Sequence, residues 1–255
     1  STLENYITNV FAKLVYSASL SSIAFDFLPD SARRFILVDA LVGAVTRMSF
    51  IRGLPDKILF ADQHLTTMSG LRTTPRAYSS LGFSPKGSNV GHDDVKDALA
   101  AFGVRDPWRE MGVIAGKIGL GSVDLRSDFI ALSRSRHAAA HQSTSNIPTS
   151  TLQSLVRSAL VIGMSCDILA GNTAEAIRTC TRPAALVATV QRFARPIRFL
   201  DPQSDGSWLE TAEGRRRASQ RHQSKSAGIG VALARRGMPF VVIRDTQRLP
   251  TALVA

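Results

Sequence analysis

The stretch VDLRSDFIALSRSRHAAAHQ (residues 123–142), followed after a polar break by TSTLQSLVRSALVIGMSCDILAG (residues 149–171), decides the reading of this chain. In the first segment Leu125, Phe129 and Leu132 recur at the spacing that gathers apolar groups on one side of a helix. In the second, Leu152, Leu155, Val156, Leu160, Ile162 and Leu169 come after a start at Thr149 or Ser150, whose hydroxyls suit an N-cap. Gly171 reads as the stop. Between them Ser143-Thr144-Ser145-Asn146-Ile147-Pro148 is a short polar break, so the pair reads as a helical hairpin.

Upstream, Phe35, Val38, Leu41, Val42, Val45 and Met48 predict a buried helical stripe over 33–51, starting at Asp30 or Ser31. Asn5–Leu20 carries a weaker version of the same pattern. From about Gly53 to Gly91, repeated Pro and Gly residues predict a loop-like region. His92-Asp93-Asp94 then caps a helix through Ala98 to Phe102, which Gly103 ends. Beyond residue 171 the composition shifts. One helix is expected over 184–193, and short strands at 196–200, 208–211 and 240–243. The expected fold is mainly α: a helical bundle over 1–171 with a small α+β or partly flexible basic appendage over 172–255.

The bulk numbers narrow the function classes. With 44% hydrophobic and 20% charged residues in 255, a core can be buried without disulfides. Cys166 and Cys180 form no CxxC pair, so both read as reduced thiols and no Cys/His zinc cluster is expected. The opening Ser1-Thr2-Leu3-Glu4-Asn5 has no basic segment before an apolar run, so no secretory signal is expected. Asp39 and Arg47 interrupt the apolar run 35–50, which is too short and charged to span a bilayer. A soluble, cytoplasmic protein is the expectation. The net charge is +11, and 25 of the 31 basic residues are Arg. The planar guanidinium suits bidentate contact with phosphate, which points to nucleic acid; a GC-rich genome gives the same composition.

Chemistry concentrates at Arg134-Ser135-Arg136-His137-Ala138-Ala139-Ala140-His141-Gln142. Arg136 and His141 fit an arginine, four residues, then a histidine. Chance alone yields roughly half a match at this composition, and a second copy exists at Arg217–His222. That copy sits in the basic tract 214–221, with no apolar stripe to hold its geometry. The first copy lies between two amphipathic helices. No phosphate-cradling glycine loop and no Gly-x-Ser-x-Gly elbow accompanies it. Asp93-Asp94 reads as a helix cap, His64 and His92 as ordinary surface histidines.

In its order of features, residues 88–170 resemble HEPN domains, particularly the RiboL-PSP-HEPN-like branch of bacterial defence and toxin systems. A Ser-Asn-Val turn precedes an Asp-rich helix ending in Ala-Phe-Gly-Val, then Arg136-His137-Ala138-Ala139-Ala140-His141, then an apolar helix. His137 fits the polar slot of that family's motif, and Ala140 the small residue before its final His. The resemblance implies a metal-independent endoribonuclease without cofactor, a toxin or antiviral effector acting as a homodimer, with an antitoxin or regulatory protein as a further partner. It assigns catalysis to Arg136 and His141, and orienting or substrate contact to His137 and Gln142. Arg134, Arg215, Arg216, Arg217 and Arg221 are the expected RNA contacts, by displacing counterions.

The residue types suit that chemistry. When a 2′-hydroxyl attacks the adjacent phosphate, a histidine near neutral pKa can move the proton, and an arginine stabilises the added charge. Against it stand blander readings. Arg136 and His141 also suit a helix C-terminus, where cations offset the dipole. A non-catalytic RNA-binding or assembly module, or a DNA-binding regulator using the Arg-rich arm, fits the same residues. Five positions on an ideal helix turn through about 140°, so Arg136 and His141 flank a seam unless the helix is distorted there.

Overall fold

A computed structural model describes residues 2–85, 89–121, 124–141, 148–215 and 217–255, with the side chains of Ala140 and His141 excepted. The chain is mainly helical with a small C-terminal α+β layer, as its periodicity predicts. It divides into two compact units, Ser1–Trp108 with Leu169–Phe193, and Arg109–Ile168 with Ala194–Ala255. The expected boundary near residue 171 falls within a single helix.

The first unit is helical. Helix α1 (Thr2–Ser19) buries Ile7, Phe11, Leu14, Val15 and Ala18, one stripe at helical spacing. A second helical run begins as α2 (Asp30–Arg33), passes through a π-helical stretch (Arg34–Asp39) and continues as α3 (Ala40–Phe50). Phe35 and Ile36 of the π stretch are buried, and Phe35 meets Phe102 edge-on at 5.4 Å. Phe11 stacks on Phe83 with ring centres 4.3 Å apart.

The apolar stripe predicted for this run forms at the right spacing but faces outward. Val38, Leu41, Val42 and Val45 are 41–63% exposed, and Met48 is half-buried. The π stretch explains the difference. Its i→i+5 bonds add a residue to the turn and rotate the helix beyond it by about 100°. Ala40 and Gly43, not the branched residues, then face the core. Gly43 lies against the backbone of Leu81, where a Cβ would come within 2.0 Å of the carbonyl oxygen. Gly82 lies as tightly against Phe35, with 2.2 Å to its carbonyl oxygen.

The region read as a loop from Gly53 contains a 16-residue helix, α4 (Leu54–Ser69). Pro55 sits in its first turn, where its missing N–H costs nothing. Gly53 supplies the entry at φ 91°. None of the residues of α4 is fully buried. His64 therefore lies on a helix, half-buried and edge-on to Phe60 at 4.3 Å. Burial, and then the Arg47 charge, push its pKa down. His92 opens α5 (His92–Ala101); its carbonyl accepts the Trp108 indole N–H at 3.3 Å, and its Nε2 lies 3.5 Å from Asp93. The Asp94 carboxylate accepts the Gly91 amide at 2.7 Å, and Gly103 comes after the helix at φ 97°.

Helices α6 (Pro107–Lys117), α7 (Leu125–His141) and α8 (Thr149–Thr179) come next. Gly171 does not end α8, which runs two turns further because Asn172, Thr173, Ala176 and Ile177 continue a buried face. Residues 161–166 are buried on every side, Cys166 among them, and both cysteines are free thiols. Burial, and then the Asp167 charge, push the Cys166 thiol well above its ordinary pKa. Among the described residues α8 is the one helix long and apolar enough to cross a membrane by length and composition; half of that window is buried within the chain. Helix α9 (Leu186–Arg192) falls within the predicted 184–193.

The C-terminal layer is folded rather than a flexible arm. Strands β1 (Ile197–Pro202), β2 (Trp208–Ala212), β3 (Gln220–His222), β4 (Phe240–Arg244) and β5 (Pro250–Val254) form one sheet in the order β3-β2-β1-β4-β5. All pairs are antiparallel except β1–β4. Helix α10 (Lys225–Leu233) makes the crossover, and its Ala232 packs with Leu200 and Val241. The Ser224 hydroxyl caps α10 by accepting the Ala227 amide at 3.2 Å.

Two carboxylates inside this layer are tied to arginines. Asp201 takes both arms of Arg244 at 2.5 and 2.6 Å. Glu210, with a side chain fully removed from solvent, receives Arg235 through two bonds at 3.1 and 3.2 Å, His222 at 3.1 Å and Arg198 at 3.2 Å. Burial alone would raise the Glu210 pKa, but the Arg235 and His222 hydrogen bonds and the arginine charges outweigh it and hold it low.

These contacts can be tested by unfolding. Gly43→Ala forces a methyl into backbone and is expected to cost about 2–3 kcal/mol in urea unfolding; an unchanged midpoint contradicts the close packing. Because Glu210 is depressed in the folded chain, its stabilisation is complete above the ordinary carboxylate pKa and is lost as pH falls through the depressed value. Glu210→Gln should therefore flatten the acid limb of the stability profile. It should cost about 2–3 kcal/mol at neutral pH, below the ~3–5 kcal/mol of a fully buried broken pair, because Arg235 and Arg198 keep 35% and 21% exposure.

Candidate active site on helix α7

Helix α7 is anchored at its start and open towards its end. The Asp124 carboxylate accepts the Ser127 amide at 3.0 Å and hydroxyl at 2.6 Å, and the hydroxyl and amide bonds hold its pKa low. Leu125 and Phe129 are buried beneath the first turns, while Leu132 is only half-buried. Further along, Arg134 and His137 are exposed and Arg136 is half-buried. His141 is the last residue of α7; its side chain lies outside the described residues, as do Gln142 and Arg216.

The backbone remains α-helical through His141. The undistorted spacing thus holds: Arg136 and His141 stand about 140° apart, whereas His137 and His141, four apart, stand within about 40°. Positions 136 and 141 therefore lie on different sides of one helix. A phosphate between them must be enclosed from more than one element.

The sequence around the motif is basic. Residues 129–166 contain no Asp or Glu, but hold Arg134, Arg136, Arg157 and two histidines. The first turns of α8 add exposed apolar groups, Leu152 at 52% and Val156 at 62%.

The C-terminal arginines divide into two groups. Arg215 and Arg217 are exposed in the β2–β3 connection. Arg221 lies on β3 with its guanidinium on Asp205 at 2.7 Å and Ser207 at 3.2 Å. Its charge is partly spent within the chain. Of the second Arg-x4-His copy the histidine is held, contrary to expectation, while Arg217 stays exposed. Its His222 is 5% exposed and bonded to Glu210, a structural position closed to substrate. Glu210, Arg235 and Arg198 were not singled out by sequence; the available signal was a carboxylate at an alternating position of the Trp208–Ala212 strand.

Arg215→Ala with Arg217→Ala should lower the slope of log affinity for single-stranded RNA against log salt by about 1.4, at ~0.7 per phosphate contact. Arg221→Ala should lower it less, since its guanidinium already holds Asp205; equal slopes for all three sites contradict this division. A scan with protein-family models finds no match to the chain, and searches of curated proteins and of solved structures likewise find none.

Proposed function

We propose that the protein is a metal-independent endoribonuclease of the HEPN type, working as a homodimer with Arg136 and His141 as its catalytic pair. The observation that supports this reading is that Arg136 and His141 fall in the last two turns of α7, beside the exposed Arg134 and His137, inside a 129–166 stretch devoid of carboxylates. A polyphosphate approaches such a surface without repulsion.

The chemistry needs one group to take the 2′-hydroxyl proton and one to return a proton to the departing 5′-oxygen. His141 of one protomer supplies the first and the partner's His141 the second, so that a 2′,3′-cyclic phosphate and a 5′-hydroxyl end result. Arg136 holds the phosphate oxygens and offsets the charge that develops as the fifth oxygen bonds. His137 orients substrate, and Gln142 contacts it at the helix end. The exposed Leu152 and Val156 suit coverage by a second chain near the motif. A toxin or antiviral effector, kept silent by an antitoxin or regulatory partner, is the setting proposed for this activity.

RNA cleavage in excess EDTA, compared between the parent and His141→Ala, tests the assignment. The parent is expected to leave cyclic phosphate ends, and His141→Ala and Arg136→Ala to lose activity by a factor of about 100 or more. Cleavage by His141→Ala at the parent's rate overturns the site. RNA binding by both proteins with cleavage by neither, under conditions where the parent is also non-toxic in cells, replaces the enzyme with a binding module.

A further inference from the structure

Leu152 and Val156 offer too little apolar surface to hold two chains together, yet a larger uncovered face exists elsewhere. On the π stretch and α3, Val38, Leu41, Val42 and Val45 form an i, i+3, i+4, i+7 stripe turned to solvent. On the neighbouring helix α4, Leu54, Ile58 and Leu65 fall within about 40° of one another around the axis, at 59–69% exposure. Phe50, at the turn between the helices, is 69% exposed. We propose that this α3–α4 face is the self-association surface of the protein, and that its occupant is the same face of a second copy.

Area is the first argument. At roughly 100 Å² of uncovered surface apiece, these eight side chains offer about 800 Å², the share each partner contributes to a stable interface of standard size. Patches of this size on an isolated chain mark an interaction site.

Charge chooses the occupant. The chain carries +11, but residues 38–65 are balanced: Asp39, Asp56 and Asp62 against Arg47, Arg52 and Lys57. Two copies of a strongly basic chain can meet there without local repulsion, and each sign finds its opposite across a two-fold axis. A helix that lies on an anionic bilayer presents a strongly basic polar face, which α4, with Asp56 and Asp62 beside Lys57, does not. An acidic or basic partner would likewise find no field to steer it. Self-pairing is what a neutral, apolar, two-helix face on a basic protein favours.

The contact is independent of the catalytic reading, and it should survive in the Arg136→Ala, His141→Ala double variant. Sedimentation velocity on the full chain at about 10 µM, with Val45→Glu plus Ile58→Glu as the comparison, decides it. The parent and the catalytic double variant are expected at twice the mass of one chain, and the face variant at one mass, with association weakened at least tenfold. Both positions are exposed, so the circular dichroism of the face variant should match the parent, and its melting temperature should fall only by what the lost association contributes, a difference that shrinks on dilution. A parent that sediments as a single chain overturns the proposal, as does a face variant that stays paired. A single-chain parent that melts lower once substituted shows the stripe covered by its own chain. A single-chain parent that floats with anionic phosphatidylserine vesicles shows a membrane surface instead.

Discussion

The π-helical turn at Arg34–Asp39 sets what the first unit can bury. Without the extra residue, Val38, Leu41, Val42 and Val45 would continue the inward face that Phe35 and Ile36 begin. With it, Ala40 and Gly43 point inward, and the helix can come close enough for Leu81 to lie against glycine. A core built on side-chain volume is exchanged for one built on backbone proximity, with Phe35, Phe102, Phe11 and Phe83 filling the space around it. The exposed stripe is the other side of that exchange. A π turn retained at such an apolar cost is intelligible when the displaced face has a use.

The C-terminal layer solves a different problem. Both faces of β1 and β4 are buried, yet Asp201 and Glu210 stand within this layer. Each is satisfied by arginine, Asp201 by the fork of Arg244 and Glu210 by Arg235 and Arg198 with His222. Arg244 also lies over the Phe199 ring at 4.2 Å, so its desolvated plane has an aromatic partner. These pairs tie β1 to β4, and β2 to β1, to β3 and to Arg235 just past α10; a buried pair repays its desolvation only when every bond is made.

Much of the helical architecture was legible because it rests on local periodicity: α1, α5, α7 and the start of α8 lie close to where apolar spacing and caps place them. Three of the strands were legible as well, being short apolar runs between turn residues. What escaped depends on context. Helix α4 carries Pro55, which reads as a breaker until its first-turn position is known. Strand β3 leaves Gln220 and Arg221 exposed and buries only His222, so no alternation is long enough to detect. After Lys225 and Ser226, helix α10 is wholly apolar or glycine, without a polar face, and β5 has a single fully buried residue. The π turn has no sequence signature at all. Of the candidate site, Arg136 and the end of α7 were legible from spacing, whereas the engagement of Arg221 with Asp205 needed the fold.

The geometry of α7 limits what any chemistry there can be. Positions 136 and 141 on a continuous helix lie about 140° apart, whereas 137 and 141 lie within about 40° of one another. Cleavage of RNA by one chain would then have two histidines without the arginine, or the arginine with neither. A second copy would relieve this, since a two-fold axis can set the 136 side of one helix opposite the 141 side of the other. On the reading proposed for α7 a second copy is part of the site, and Leu152 and Val156 alone are too small a surface to hold it. The stripe that the π turn sets free on α3, together with α4, is a larger exposed apolar surface, and its pairing is testable apart from any chemistry on α7.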